Sequence, residues 1–199
     1  MKPTRSLKAR ALQWLAQREQ SRVELRRKLL PYALALTASA AAGGDAGADT
    51  DTDPDANANA DADADPNLRE QASTNAAAAR ATVEELLDWL EAHKYLSPER
   101  FIESRVHARA ARFGNLRIRS ELRQHALALP AEAAQVLAAT EFDRAAQLHE
   151  RKFGAASAAP IAPAARAKQA RFLAGRGFSP DTIRSVLRRT RAAADDDGD

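Results

Sequence analysis

Arginine side chains recur at helical spacing in several segments of this 199-residue chain. Arg105, Arg109 and Arg112 are four and three residues apart, which places their guanidinium groups on one helix face. A solvated face usually mixes both signs of charge, because like charges four residues apart repel each other. Guanidinium groups bind carboxylates and phosphates through paired hydrogen bonds, so one-signed stripes favour a surface for an anionic partner. The residues predicted to form that surface are Arg22, Arg26, Arg27, Lys28, Arg105, Arg109, Arg112, Arg117, Arg119, Arg123, Arg184 and Arg188.

The net charge of +3 conceals a strong asymmetry along the chain. Residues 45–80 contain eight Asp and one Glu against two Arg, and residues 195–199 contain four Asp. The rest of the chain is therefore strongly basic. Such a charge is typical of domains that bind nucleic acid or another acidic surface.

Side chains suited to catalysis or metal binding form no recognisable motif. The sequence contains no cysteine, which excludes disulfides, thiol nucleophiles and Cys-ligated zinc. The aspartate-rich stretch lacks the ligand spacing and glycine of a calcium loop. The histidines lack metal-ligand spacing and are expected at the surface or at helix ends; they are His93, His107, His125 and His149. We therefore predict no catalytic residue, no cofactor and no metal, in a protein that is not an enzyme.

Helix signals account for most of the sequence outside the acidic stretch. Ser21 and Glu24 form a capping box that opens a helix predicted to end before Pro31. A second capping box is predicted at residues 82–85, and Ser97 with the following proline indicates another helix start. The nine predicted helices cover about residues 4–18, 21–30, 82 onwards, 98–113, 117–126, 130–140, 141–153, 164–175 and 180–189.

Short matches recur at shared offsets and indicate three units of three helices. Leu122 and Leu137 match Phe172 and Leu187 fifty residues further on, and such a period is typical of tandem helical arrays. We predict an all-α fold of three helix-turn-helix-like repeats, at residues 1–97, 98–140 and 141–190. Residues 37–79 are mostly Ala, Asp, Gly, Thr and Asn, so they are expected to form a disordered insertion in the first repeat. Residues 191–199 are expected to be a disordered acidic tail.

Four segments, taken in order, resemble the RecX family. They are L-A-x-R-E-x-S-R-x-E-L-x-x-K-L at residues 15–29, L-x-x-x-x-Y-L-x-x-E-R-F at 90–101, G-x-x-R-I-R-x-E-L at 114–122 and R-F-L-x-x-R-G-F at 171–178. The resemblance covers nearly the whole chain except the acidic insertion and tail. One departure is the segment Lys94-Tyr95-Leu96-Ser97-Pro98, which stands where the family usually has Gly-Tyr-Leu-Asp-Asp.

The resemblance implies a regulator of RecA recombinase that acts in homologous recombination, DNA repair and the SOS response. Members of the family bind in the groove of the RecA–DNA filament and curb its growth, its ATPase activity and its co-protease activity. The expected partners are the RecA filament and, weakly and without sequence preference, DNA. No run of 18 apolar residues is present that could span a membrane, and the N-terminus has no apolar signal-peptide run, so a cytoplasmic location is expected. The protein is also expected to be a monomer.

Two other functions are compatible with a basic helical repeat protein. One is a helix-turn-helix-like transcription regulator, which would place a helix in the DNA major groove. The other is a scaffold for an unrelated acidic protein. Target preference separates them, because tight binding to one duplex sequence supports the former, and no affinity for DNA or filaments supports the latter.

Overall fold

The computed structural model describes residues 5–41, 66–154 and 162–196, and all regular secondary structure in these ranges is helical. This confirms the predicted all-α fold. No helix in the same ranges is both long and apolar enough to cross a membrane. The helices are α1 (Leu7–Gln17), α2 (Arg22–Ala41), α3 (Pro66–Ala92), α4 (Pro98–Ala110), α5 (Asn115–Gln124), α6 (Ala131–Ala139), α7 (Glu141–Phe153), α8 (Pro163–Gly175) and α9 (Pro180–Asp196).

The chain divides into two compact units, residues 1–98 and 99–199. Unit 1 contains α1, α2 and α3 around one apolar core, in which Leu25, Leu29 and Leu87 are fully buried. Unit 2 contains two cores. Residues of α4, α5 and α6 pack around Phe101, and residues of α7, α8 and α9 pack around Leu173. The described helices therefore group in threes, as the repeat pattern predicted.

The helical hairpin of unit 1 is longer than predicted. Helix α2 continues through Pro31 to Ala41, and α3 begins at Pro66, well before residue 82. A proline inside a helix removes one backbone hydrogen bond. Here α3 packs along α2, and Ala33 and Ala79 are almost completely buried in the shared core, so packing overrides the local signal. The predicted insertion is thus helical at residues 37–41 and 66–79, whereas residues 42–65 lie outside the described ranges.

One of the two predicted capping boxes is present. The Ser21 hydroxyl accepts from the Glu24 amide at 3.1 Å, and the Glu24 carboxylate accepts from the Ser21 amide at 3.4 Å. The second prediction is wrong, because Thr82 lies in the middle of α3 and its hydroxyl donates to the carbonyl of Ala78 at 3.1 Å. At the other end of the chain, α9 extends to Asp196, so the prediction of a disordered tail is wrong for residues 191–196. Residues 197–199 lie outside the described ranges.

Three helices end in the same left-handed turn, at Lys94, Ala126 and Gly177. Their φ angles are 59°, 57° and 80°. In each case the next residue donates its amide to the carbonyl five positions earlier, which is the hydrogen bond of a Schellman motif. Only glycine adopts this conformation without a steric penalty. Lys94 occupies the position where the RecX family usually has glycine, so the turn is retained at a cost in steric strain.

Two glycines bring two turns of unit 2 into backbone contact. The Gly114 amide donates to the carbonyl of Arg176 at 2.9 Å, and the Leu116 amide donates to the carbonyl of Gly177 at 3.0 Å. A Cβ atom on Gly114 would lie 2.2 Å from the Gly177 oxygen, and one on Gly177 would lie 2.5 Å from the Cβ of Arg117. The turn before α5 and the turn before α9 therefore meet where no side chain fits. The fourth helix, predicted to end at residue 113, ends at Ala110, and Gly114 is the N-cap of α5.

We expect Gly177→Ala to destabilise unit 2, because the new Cβ would meet Arg117 and the residue would be held at a positive φ. Left-handed strain at a non-glycine residue alone costs about 1–3 kcal/mol. Gly175→Ala is the matched control, since its Cβ would meet nothing within 4 Å. That change should be neutral or stabilise by about 0.4–1 kcal/mol. Urea titrations followed by circular dichroism would measure both, and equal stabilities of the two variants would contradict the glycine contact.

Candidate binding surface

The arginines of α2 are engaged inside unit 1. The Arg22 guanidinium contacts Glu84 at 2.8 Å, Asp88 at 2.6 Å and Glu91 at 2.9 Å, and its side chain is only 28% exposed. Arg26 binds Glu84 with two nitrogens. These bonds to Arg26 and Arg22 lower the pKa of Glu84 to about 2, and the bond to Glu84 is the main cause that raises the pKa of Arg22. Two members of the predicted basic stripe therefore join α2 to α3.

The other two cations of α2 differ from each other. The Lys28 ammonium donates to the side-chain oxygen of Gln20 at 2.8 Å and lies 5.4 Å from the centre of the Trp14 ring. Burial lowers the pKa of Lys28, because it disfavours the charged form. Arg27 is exposed and forms no ion pair within the described part of the chain. Of the α2 stripe, Arg27 is the member whose charge is most available to a partner.

A second group of predicted arginines surrounds α5 in unit 2. Arg105 and Arg109 share one carboxylate oxygen of Glu121, at 3.3 and 3.1 Å. This carboxylate thus bridges two guanidinium groups. The remaining four are exposed and form no ion pair with a described residue: Arg112, Arg117, Arg119 and Arg123. The structure therefore brings all six predicted arginines of α4, α5 and the turn between them into one unit with a surplus of positive charge.

The arginines predicted on α9 are exposed and engaged only locally. Arg184 pairs with Asp181 one turn earlier, and the Arg188 guanidinium donates to the Ser185 hydroxyl at 3.2 Å. Exposed pairs of this kind contribute little stability, because water screens them and long side chains lose entropy. Both guanidiniums thus remain accessible to an anionic partner.

Phe113 is the centre of a cation–π cluster that the sequence analysis did not anticipate. The guanidinium carbons of Arg117, Arg176 and Arg109 lie 4.7, 5.5 and 5.6 Å from the centre of its ring. Arg176 also lies 5.4 Å from the centre of the Phe172 ring. In the sequence, Phe113 belongs only to the predicted helix at 98–113, and Arg176 only to the RecX-like segment at 171–178. No local signal links them, because they are far apart in sequence.

An open groove of about 710 Å³ lies beside this cluster. Its lining includes Arg109, Phe113, Leu116 and Arg117, together with Gly177 in the turn before α9. We refer to it as the Phe113 groove. It therefore combines guanidinium groups with apolar surface.

A buried polar network holds the turn that carries Phe113. The Arg144 guanidinium donates to the carbonyls of Ala110 at 2.8 Å and Phe113 at 2.9 Å, and to the side-chain oxygen of Asn115 at 2.6 Å. It thereby caps carbonyls at the end of α4 that have no partner within the helix. Burial lowers the pKa of Arg144, and the charge of Glu141 opposes that shift.

Glu141 extends the same network towards α9. One of its carboxylate oxygens accepts from the Asn115 amide at 2.8 Å. The other accepts from the hydroxyls of Ser179 at 2.8 Å and Thr182 at 2.9 Å. The carboxylate thus caps the start of α5 and the start of α9 together, where a negative charge complements both helix dipoles. The sequence identifies Glu141 only as the first residue of the predicted helix at 141–153.

The histidines do not form a catalytic or metal-binding group. His93 stacks on Trp89 with ring centres 4.0 Å apart, and His125 lies edge-on to Phe101. His149 is only 4% exposed, so the prediction of a surface or helix-end position is wrong for it. It lies on the α7 face that packs on α8 and α9, which local sequence does not reveal. Among the described residues, no three His, Asp or Glu side chains are placed to share a metal ion.

Lowering the pH should reduce the folding stability of unit 1, because it protonates the Glu84 carboxylate. A carboxyl whose pKa is depressed on folding stabilises the fold above its unfolded pKa, and this contribution is lost as the pH falls through the folded value. For Glu84 the window runs from its ordinary pKa of 4.5 down to about 2. Urea titrations followed by the fluorescence of Trp14 and Trp89, both in unit 1, should show stability falling across this window. Glu84→Gln should flatten the fall, whereas Glu85→Gln at the exposed neighbouring position should not; equal slopes for the two variants would count against the ion pairs.

Comparison with known proteins identifies relatives along nearly the whole chain. Residues 139–187 match the family model described as RecX, third three-helix domain. The regulatory protein RecX of Herbaspirillum seropedicae is 40% identical over 197 residues, which cover 98% of this chain and 97% of that protein. The regulatory protein RecX of Ralstonia nicotianae is 39% identical over 96% of this chain and 92% of its own length. The corresponding protein of Leptothrix cholodnii is 36% identical over 94% of this chain and 90% of its own length. With this identity over nearly its full length, the chain belongs to the RecX family of regulatory proteins.

Proposed function

We propose that this protein binds the RecA–DNA filament through the basic face of unit 2 and inhibits filament growth and ATP hydrolysis. Family membership supports a regulatory role, and the resemblance drawn from its motifs supplies RecA as the partner. The proposal includes inhibition of the co-protease activity of RecA. In this proposal the protein acts as a non-enzymatic monomer in the cytoplasm, in DNA repair and the SOS response.

The observation that carries the proposal is the set of exposed arginines around α5. Arg112, Arg119 and Arg123 have no carboxylate partner among the described residues, in contrast to Arg22 and Arg26 of α2. Like charges on one small face repel each other, so an anionic ligand that binds there gains attraction and also relieves the repulsion. A nucleoprotein filament offers such a ligand, since DNA carries one negative charge per phosphate.

The tandem arrangement suggests how binding becomes inhibition. Each three-helix group can add a modest contact to neighbouring RecA protomers, and linked contacts benefit from a high effective concentration. The assembled filament should therefore bind much more tightly than a free RecA monomer. A protein bound along the groove would restrain the movements that accompany ATP turnover, and at a growing end it would block addition of the next protomer.

Binding to bare DNA should be weak, steeply salt-dependent and indifferent to sequence, because exposed arginines chiefly meet phosphates. A strong preference for one duplex sequence would instead favour a transcription regulator that places a helix in the major groove.

The test measures RecA-catalysed ATP hydrolysis and filament growth on single-stranded DNA as the protein is added. We expect substoichiometric amounts to slow growth and larger amounts to depress hydrolysis. The triple change Arg112→Glu, Arg119→Glu and Arg123→Glu should raise the concentration needed for half-inhibition by tenfold or more, because each exposed charge contact contributes about 0.2–1 kcal/mol.

The matched control replaces the same three residues by lysine, which keeps the charge of the face and should retain most of the inhibition. Circular dichroism should show unchanged helix content in both triple variants, since all three side chains are exposed. If the unaltered protein leaves filament growth and hydrolysis unchanged at saturating concentration, the proposed function is wrong.

A further inference from the structure

The Phe113 groove has an apolar side that a surface for phosphates alone does not require. Leu116 lies on its rim and is 51% exposed, although it follows directly after the tightly packed Gly114 turn. The ring of Phe113 and the backbone of Gly175 and Gly177 continue this surface. A concave surface lined by apolar groups together with a few polar side chains is typical of a ligand site.

The cationic side of the groove is arranged to donate hydrogen bonds to a ligand's anionic groups at fixed positions. Packing against the Phe113 ring covers one face of a guanidinium and leaves its N–H edge available for a carboxylate or phosphate. Arg117 has no carboxylate partner among the described residues, and Arg109 shares Glu121 with Arg105. The edge of Arg117 is therefore the one that a ligand in the groove can occupy without displacing an existing pair.

Glu121 also lines the groove and favours one class of ligand over another. A phosphodiester backbone would place a continuous run of negative charge past this carboxylate and would leave Leu116 uncovered. A peptide can place a carboxylate at Arg117 and an apolar side chain against Leu116 and Phe113, and can turn a neutral backbone towards Glu121. The mixture of groups in the groove is thus complementary to a peptide.

We propose that the Phe113 groove binds a short acidic segment of a protein partner, anchored by an apolar side chain against Leu116 and Phe113 and by a carboxylate at Arg117. The volume of about 710 Å³ lies within the range of about 300–1,000 Å³ that is typical of ligand sites. The inference deepens the proposed function by naming the kind of segment the partner contributes, and to that extent it rests on it.

The test uses a fluorescent synthetic peptide, Glu-Asp-Leu-Glu-Leu-Asp-Glu, and measures its anisotropy as the full-length protein is added. We expect saturable binding that weakens when the leucines of the peptide are replaced by serine. Leu116→Ser should weaken binding roughly tenfold, the effect expected from uncovering one apolar anchor. Arg117→Glu should weaken it at least as much, because it replaces the partner of the carboxylate by a like charge.

Each variant has a matched control in the same unit. Arg166→Glu makes the same charge change at an exposed position of α8, and Val136→Ser removes an apolar side chain that is 62% exposed; neither residue lines the groove. Both controls should bind the peptide within about twofold of the unaltered protein, well below the roughly tenfold loss expected for Leu116→Ser. Circular dichroism on all four variants should show the same helix content, since all four altered side chains are exposed.

Several outcomes would overturn the inference. Equal losses for Arg117→Glu and Arg166→Glu, with no effect of Leu116→Ser, would mean that only surface charge attracts the peptide. Displacement of the peptide by oligothymidylate, in a manner that depends on Leu116, would mean that the groove binds nucleic acid.

RecA-dependent ATP hydrolysis measured on the same samples separates this inference from the proposed function. A protein that inhibits hydrolysis but does not bind the peptide overturns only this inference, and one that binds the peptide without inhibiting overturns only the proposed function.

Discussion

The contact between the turns at Gly114 and Gly177 is the constraint on which the architecture of unit 2 depends. Two backbone hydrogen bonds join these turns at a distance that excludes any Cβ atom. The Glu141 carboxylate reinforces the contact by accepting hydrogen bonds at the starts of both α5 and α9. Because backbone and carboxylate fix the two turns, Arg176 is brought to the ring of Phe113. The Phe113 groove is a consequence of this junction, since its lining comes from both sides of it.

Charge pairing gives similar arginine stripes different roles in the two units. In unit 1, the face of α3 that meets α2 carries three acidic residues, and Arg22 engages all three. The guanidinium thereby joins two helices and loses much of its availability to a partner. In unit 2, Arg105 and Arg109 share Glu121, whereas four exposed arginines around α5 form no ion pair with a described residue. The surplus charge there stays at the surface, so a partner that carries negative charge is attracted to unit 2 more strongly than a count of arginines would indicate.

The three groups of helices share the same backbone turn, although the residues exposed around it differ. The same left-handed turn ends α3, α5 and α8, although Lys94, Ala126 and Gly177 occupy its central position. In each turn the following amide bonds to the carbonyl five residues earlier, and the residue that carries this amide is apolar or aromatic. Backbone hydrogen bonding and apolar packing thus fix the turn, and side chains around it are free to differ. A RecX-family regulator can therefore present a mixed apolar and cationic groove in one part of the chain and a paired, neutral face in another.

The sequence by itself determined the features that depend on neighbours along the chain. Helical periodicity, the Ser21–Glu24 capping box and the start of α4 at Pro98 are local, and the structure contains all of them. The order of the RecX-like segments determined the family. Only the tertiary structure decided that α2 continues through Pro31 and that Arg22 is paired, because both depend on contacts with α3, some sixty residues away in sequence. The approach of Arg176 to Phe113 is of the same kind, since a contact between distant residues leaves no periodic signal in either segment.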